Sequence, residues 1–116
     1  MSFAEGILNG KSAIVTGGAT GIGSYIVRKL GTLGAKVGIV SRKEENLIEA
    51  VRKFKQDDGL DVVWRTGDVR DPDGIKNSFD ELAGDLGGID ILVCNAAGNF
   101  ICPTEITKYV KVRELL

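Results

Sequence analysis

The sequence of 116 residues contains no histidine at all, and its only two cysteines are Cys94 and Cys102. Without histidine, every Ser-His or Cys-His nucleophilic mechanism is excluded. Two thiols with no imidazole also argue against a tetrahedral zinc site within one chain, so no metal is expected. Their scatter fits a reducing compartment better than a disulfide framework. Basic surplus is missing too: fifteen Lys plus Arg stand against sixteen Asp plus Glu, a net charge of −1. That balance gives no electrostatic footprint for nucleic acid and no basic amphipathic stretch for a membrane surface. The apolar runs are all too short to span a bilayer. The opening MSFAEGILNGK carries Glu5 and has no Arg-rich amphipathic or long apolar character. It therefore reads as neither a signal nor a transit peptide. The expectation is a soluble, intracellular protein, 43% hydrophobic and 27% charged, long enough for one domain but not for two.

What is present is a regular alternation of elements. Residues 12–15 form a short apolar strand that runs into a cluster of glycines. Ile22, Ile26, Leu30 and Leu33 then recur at helical spacing, with Gly31 and Gly34 loosening and stopping the helix. Residues 36–40 are a second strand. Leu47, Ile48, Val51 and Phe54 mark a second helix, closed by Asp57-Asp58-Gly59. Residues 61–65 are a third strand, with Val62, Val63 and Trp64 as β-formers. Asp71 is a helix N-cap with Pro72 at the first helical position, and Ile75, Phe79, Leu82 and Leu86 carry that helix's buried face as far as Gly87-Gly88. Residues 89–94 form a mostly apolar fourth strand, as expected for one covered on both faces. This order predicts an α/β fold: a Rossmann-type doubly wound parallel sheet with right-handed crossovers and strand order 3-2-1-4. No repeat, linker or low-complexity segment interrupts it.

The glycine cluster is TGGATGIG, residues 16–23, with four glycines in eight positions. Such a run would break a helix and weaken a strand. In the predicted architecture, ligands bind beyond the carboxyl ends of the strands, where the first strand turns into the first helix, and the cluster lies at that turn. Glycines permit positive φ and close approach of a phosphate, and a helix beginning near Gly21 aims unpaired N–H groups and a partial positive charge at it. Residues Gly17, Gly18, Ala19, Thr20, Gly21, Ile22 and Gly23 are therefore expected to cradle a pyrophosphate. The spacing Gly17-x-x-x-Gly21-x-Gly23 departs from the commoner Gly-x-Gly-x-x-Gly. No Gly-Lys-Ser/Thr follows the cluster, so it is not a Walker loop.

The end of the second strand selects the nucleotide. An NAD-type site usually places Asp or Glu there, about 20 residues beyond the glycines, to bind the ribose 2′-hydroxyl. Here the residues are Ser41, Arg42 and Lys43. Arg offers a planar fork and Lys a point charge for phosphate, whereas a carboxylate would repel it, so NADP(H) is the expected cofactor.

Three motifs in order, Thr16-Gly17-x-x-x-Gly21-Ile22-Gly23, Asp68-Val69 and Asn95-Ala96-Ala97-Gly98, resemble those of the short-chain dehydrogenase/reductase family. The resemblance implies that Asp68 and Val69 contact the adenine. It also implies that the turn containing Asn95, Ala96 and Gly98 supports the sheet and lines the cofactor ribose. Within that family, SRK at 41–43, GDVRDPD at 67–73 and NAAGNFICPTE at 95–105 are similar to the 2,4-dienoyl-CoA reductases, which use NADPH on a conjugated dienoyl thioester during the breakdown of unsaturated fatty acids. By that resemblance Arg42 serves the cofactor phosphate and the acyl-CoA, Arg70 and Phe100 contact substrate, and Asn99 orients the thioester oxygen as the one candidate catalytic residue. The chemistry agrees: Arg suits CoA phosphates, an aromatic flanks an acyl chain, and an amide donor stabilises a developing enolate. The family resemblance also implies a homo-oligomer and a peroxisomal or mitochondrial setting, although neither organelle's signal is visible.

The resemblance runs from about residue 10 to residue 105. Residues 1–105 are accordingly expected to be the N-terminal part of a Rossmann NADP-binding domain. Residues 106–116 read as a divergent end, which truncates the sheet after the fourth strand. Family members carry, further on, a Tyr-x-x-x-Lys pair that handles the proton and orients the nicotinamide ribose. Tyr109-x-x-x-Arg113 imitates it, but has Arg in place of Lys and lies too close to the fourth strand. An active reductase and a non-catalytic NADP-binding or interaction fragment are therefore both open readings. A methyltransferase-like nucleotide domain is a third, but its ribose contact wants an acid where Ser41 and Arg42 stand.

Overall fold

The computed structural model describes residues 6–68 and 70–95. They alternate as β1 (Ser12–Thr16), α1 (Gly21–Thr32), β2 (Lys36–Ser41), α2 (Glu44–Asp58), β3 (Val62–Thr66), α3 (Pro72–Leu86) and β4 (Ile91–Cys94). The strands form one parallel sheet in the order β3-β2-β1-β4. β1 is central, with Ala13 opposite Val37 on one side and Ile91 on the other. All five of its residues are buried, as its apolar composition requires for a strand covered on both faces.

Successive side chains of a strand point to opposite faces, and β1 divides its residues accordingly. Ala13 and Val15 join Val27 and Leu30 of α1 and Leu47, Ala50 and Phe54 of α2 in one core. Ile14 joins Ile75, Phe79, Leu82 and Leu86 of α3 in the other. Helices thus cover both faces, and the sheet is doubly wound. Between β1 and β4 the chain changes direction of growth, which places the ligand crevice of such a sheet beyond the carboxyl ends of those strands.

The helix ends follow local chemistry. Asp71 caps α3 by accepting the N–H of Gly74 at 3.2 Å, and Pro72 stands at the first helical position. Two of the expected apolar faces are rotated. Ile22 is 74% exposed, and the buried stripe of α1 is Gly23, Val27 and Leu30. Ile48 is likewise exposed, and α2 buries Leu47, Ala50 and Phe54. In α1 the reason is close approach: the first turn presses onto the backbone of the preceding loop, where only a glycine fits. Gly31 does not stop α1 but lies within it, and a β-carbon there would sit 2.7 Å from Leu60. The fourth strand begins at Ile91 rather than at residue 89, because Asp90 replaces a ladder bond with its carboxylate, which accepts the N–H of Ser12 at 2.9 Å. No helix among the described residues is long and apolar enough to cross a membrane.

Candidate functional site

The loop from Thr16 to α1 is built from backbone. Gly17 and Gly21 hold φ at 66° and 55°, a region that side-chain-bearing residues seldom enter. Gly18 and Gly23 are required for space. A β-carbon on Gly18 would lie 2.6 Å from Ile39, and one on Gly23 would collide with the carbonyl oxygen of Gly17 and approach the Asn95 amide nitrogen to 2.6 Å. Thr20, the N-cap, is extended and its side chain caps nothing, and the first turn of α1 contains no acidic residue. By contrast, α2 opens with Glu44 and Glu45, and α3 carries Asp73 behind its Asp71 cap. Of the three described helices, α1 is therefore the one whose N-terminal N–H groups and partial positive charge are left for an outside anion.

Asn95 closes one side of this turn. Its backbone N–H donates to Thr16 Oγ1 at 2.8 Å and its side-chain amide to the Gly17 carbonyl at 3.4 Å. Thr16 is buried, and its hydroxyl donates in turn to the Val93 carbonyl at 3.4 Å. The ends of β1 and β4 and the glycine loop are thereby tied into one unit.

On the other side, the ends of β2 and β3 open into a depression of about 390 Å³ lined by Arg42, Thr66, Gly67, Asp68, Asp71 and Gly74. The Gly67 N–H donates to the Ser41 carbonyl at 2.9 Å, which keeps the two strand ends abreast. Ser78, buried on α3, donates to the Thr66 carbonyl at 2.6 Å and fixes the depression's floor to the helix. Asp68 receives a forked contact from Arg70, with Nε 3.0 Å from Oδ1 and Nη2 2.8 Å from Oδ2, and the Arg70 backbone N–H also reaches Oδ1 at 2.9 Å. The Arg70 guanidinium, then its backbone N–H, with a further contribution from the charge of Arg42, lower the Asp68 carboxyl from 3.8 to about 2. The N–H groups of the glycine loop and the guanidinium of Arg42 are thus groups at this end of the sheet able to bind anions.

The model of the short chain dehydrogenase family matches residues 11–115. The chain belongs to that family. It is 43% identical over 103 residues to a probable 2,4-dienoyl-CoA reductase of Caenorhabditis elegans, covering 87% of this chain and 33% of that protein. It is 37% identical over 101 residues to the peroxisomal 2,4-dienoyl-CoA reductase of Danio rerio, covering 87% of this chain and 34% of the relative. The chain therefore spans about a third of the length of these curated relatives. Among solved structures, L-sorbose reductase from Gluconobacter frateurii, complexed with NADPH and L-sorbose, superposes with a TM-score of 0.72 at 35% identity. That match covers 78% of this chain and 35% of the reductase.

For this member of the short-chain dehydrogenases, the structure gathers the sequence-derived residues into two groups beyond the carboxyl ends of the strands. Gly17, Gly18, Ala19, Thr20, Gly21, Ile22, Gly23 and Asn95 surround the glycine turn. Ser41, Arg42, Lys43 and Asp68 lie around or beside the depression, Lys43 as the N-cap of α2. Arg70, expected on the substrate, is placed on Asp68 instead of on the depression's lining. Val69, Ala96, Gly98, Asn99, Phe100 and the divergent end expected over 106–116 lie outside the described residues. Sequence reasoning missed Thr66, Gly67 and Gly74 as lining residues and Ser78 as the floor's anchor. A serine amid the apolar stripe of Ile75, Phe79 and Leu82 was the available signal. It also passed over Tyr25-x-x-x-Lys29, which repeats the family's catalytic spacing on α1. There the Lys29 ammonium lies over the ring face of the exposed Tyr25, 5.5 Å from its centroid, which is a helix-surface cation–π pair.

Proposed function

We propose that this chain is the cofactor-binding part of an NADPH-dependent reductase acting on 2,4-dienoyl-CoA thioesters. The observation that carries the cofactor is Arg42: a cation stands at the end of β2, on the rim of the depression, where a nucleotide lacking the 2′-phosphate would call for an acid. The residues fit the group. The glycine loop is a cradle that any side chain at Gly18 or Gly23 would fill, and α1 begins without a competing carboxylate. The NADPH bound in L-sorbose reductase supports the same reading.

In this function the loop and the α1 N-terminus bind the pyrophosphate, Arg42 and Lys43 attract the 2′-phosphate, and Asp68 with Val69 recognises the adenine. Asn95 orients the turn, together with Ala96 and Gly98. When bound there, the reduced nucleotide would supply the hydride for reduction of the dienoyl thioester. In the same reading Asn99 orients the thioester oxygen and Phe100 contacts the acyl chain, while Arg70 is held on Asp68. The substrate class is supported by the names of the C. elegans and Danio rerio relatives, and the latter's peroxisomal name supports an organellar setting.

Two measurements test this. Titration with NADPH and NADH is expected to show clear preference for NADPH, and equal affinity would overturn the cofactor. A chimera in which residues 1–105 replace the corresponding segment of the C. elegans reductase is expected to reduce a dienoyl-CoA with NADPH. A chimera that folds and binds NADPH but reduces only unrelated carbonyl compounds would overturn the substrate class.

A further inference from the structure

The depression between β2, β3 and α3 carries two carboxylates, Asp68 and Asp71, beside one cation among its described lining residues, Arg42. Left alone, two negative charges would cancel the attraction of Arg42 for a phosphate. Each is offset differently. Asp71 sits at the N-terminus of α3, where its carboxylate accepts the Gly74 N–H at 3.2 Å and faces the positive end of the helix. Asp68 belongs to no helix, and Arg70 meets it with a two-pronged guanidinium and a backbone N–H, all three contacts between 2.8 and 3.0 Å. The Arg70 side chain is 71% exposed. An ion pair so placed contributes little to fold stability, so its geometry calls for another account.

We propose that Arg70 determines specificity for a 2′-phosphorylated nucleotide by acting through Asp68: it neutralises that carboxylate and leaves Arg42 as the charge a phosphate meets in the depression. The inference rests on the cofactor reading above and deepens it. Arg70 is in this sense a positioning residue. It touches neither phosphate nor hydride, and it holds Asp68 in one rotamer, with the carboxylate already satisfied before the ligand arrives. The arrangement lets one pocket keep an acceptor for a base and still admit a dianion close by.

The test compares NADP⁺ with NAD⁺, which differ only in the 2′-phosphate, on the 116-residue chain. Arg70→Gln is expected to lower the NADP⁺/NAD⁺ affinity ratio about five- to tenfold at low salt, by exposing the Asp68 charge. Most of that change should vanish at about 0.5 M salt. Adding Asp68→Asn to Arg70→Gln should restore the ratio to within about twofold of the unaltered chain, because the liberated charge is gone. Unequal loss without rescue would make Arg70 a direct phosphate ligand and overturn the inference. Parallel loss for both nucleotides with a fall in thermal midpoint would make the pair structural, and overturn it equally. Should the unaltered chain prefer NADP⁺ and Arg70→Gln keep the full preference, this inference alone fails. Should the unaltered chain bind neither nucleotide, the cofactor reading fails and takes this one with it.

Discussion

Gly23 lies so close to the carbonyl oxygen of Gly17 that no side chain can stand between them, and its other neighbour is the Asn95 amide. The start of α1 is thereby seated on the turn it follows. Gly23→Ala is expected to push the helix off the loop, destabilising the fold by about 1–3 kcal/mol and weakening nucleotide binding at least about tenfold. Gly84, in α3, has open space around its missing β-carbon. Gly84→Ala should instead stabilise by about 0.4–1 kcal/mol and leave binding unchanged. Chemical denaturation and nucleotide titration of the two variants check the contrast.

Arg42→Asp places an acid at the rim of the depression. The substitution should reverse or abolish the NADP(H) preference, with NADPH affinity falling at least about tenfold while NADH is held as well or better. Fluorescence titration with both reduced nucleotides reads the result. Unchanged preference would remove Arg42 from the phosphate site.

Thr16, buried at the end of β1, accepts the Asn95 N–H on its Oγ1. Thr16→Val keeps the shape but strands that donor, which should cost about 1–3 kcal/mol of stability. Amide exchange at Asn95 should accelerate in the variant, and nucleotide affinity should fall because the glycine turn loses its anchor to β4.

The Asp68 carboxyl, held at about 2 by Arg70, makes a pH-dependent contribution of definite sign. Its folded value lies below the ordinary 3.8, so the stabilisation is fully present above that value and is lost as pH falls from 3.8 through about 2. Carboxyl chemical-shift titration should report this low midpoint. In Arg70→Gln the midpoint should rise toward the ordinary value, and salt should narrow the difference because the pair is exposed.

The alternation of elements, the Asp71-Pro72 helix start and the glycine turn are local properties. A period in the apolar residues, a capping carboxylate or a run of glycines restricts the chain before any tertiary contact forms, so these features were legible in the residues alone. So were the sheet order and the place of Arg42, because short right-handed crossovers leave few arrangements of four parallel strands. Other features depend on how closely elements approach. The residue of α1 that meets the sheet is Gly23 and not the apolar Ile22, because the Gly17 carbonyl sits where a side chain would have to be. The fourth strand starts only at Ile91, and Asp90 just before it accepts the N–H of Ser12, far away in sequence, on its carboxylate. Thr16 and Asn95 are joined across 79 positions, and no pattern in either neighbourhood announces the bond. The sequence alone points Arg70 at the substrate, and the fold sets its guanidinium and backbone N–H against the Asp68 carboxylate. Composition and spacing decide which groups a chain possesses. Packing decides which of them share a point in space, and a binding site consists of those shared points.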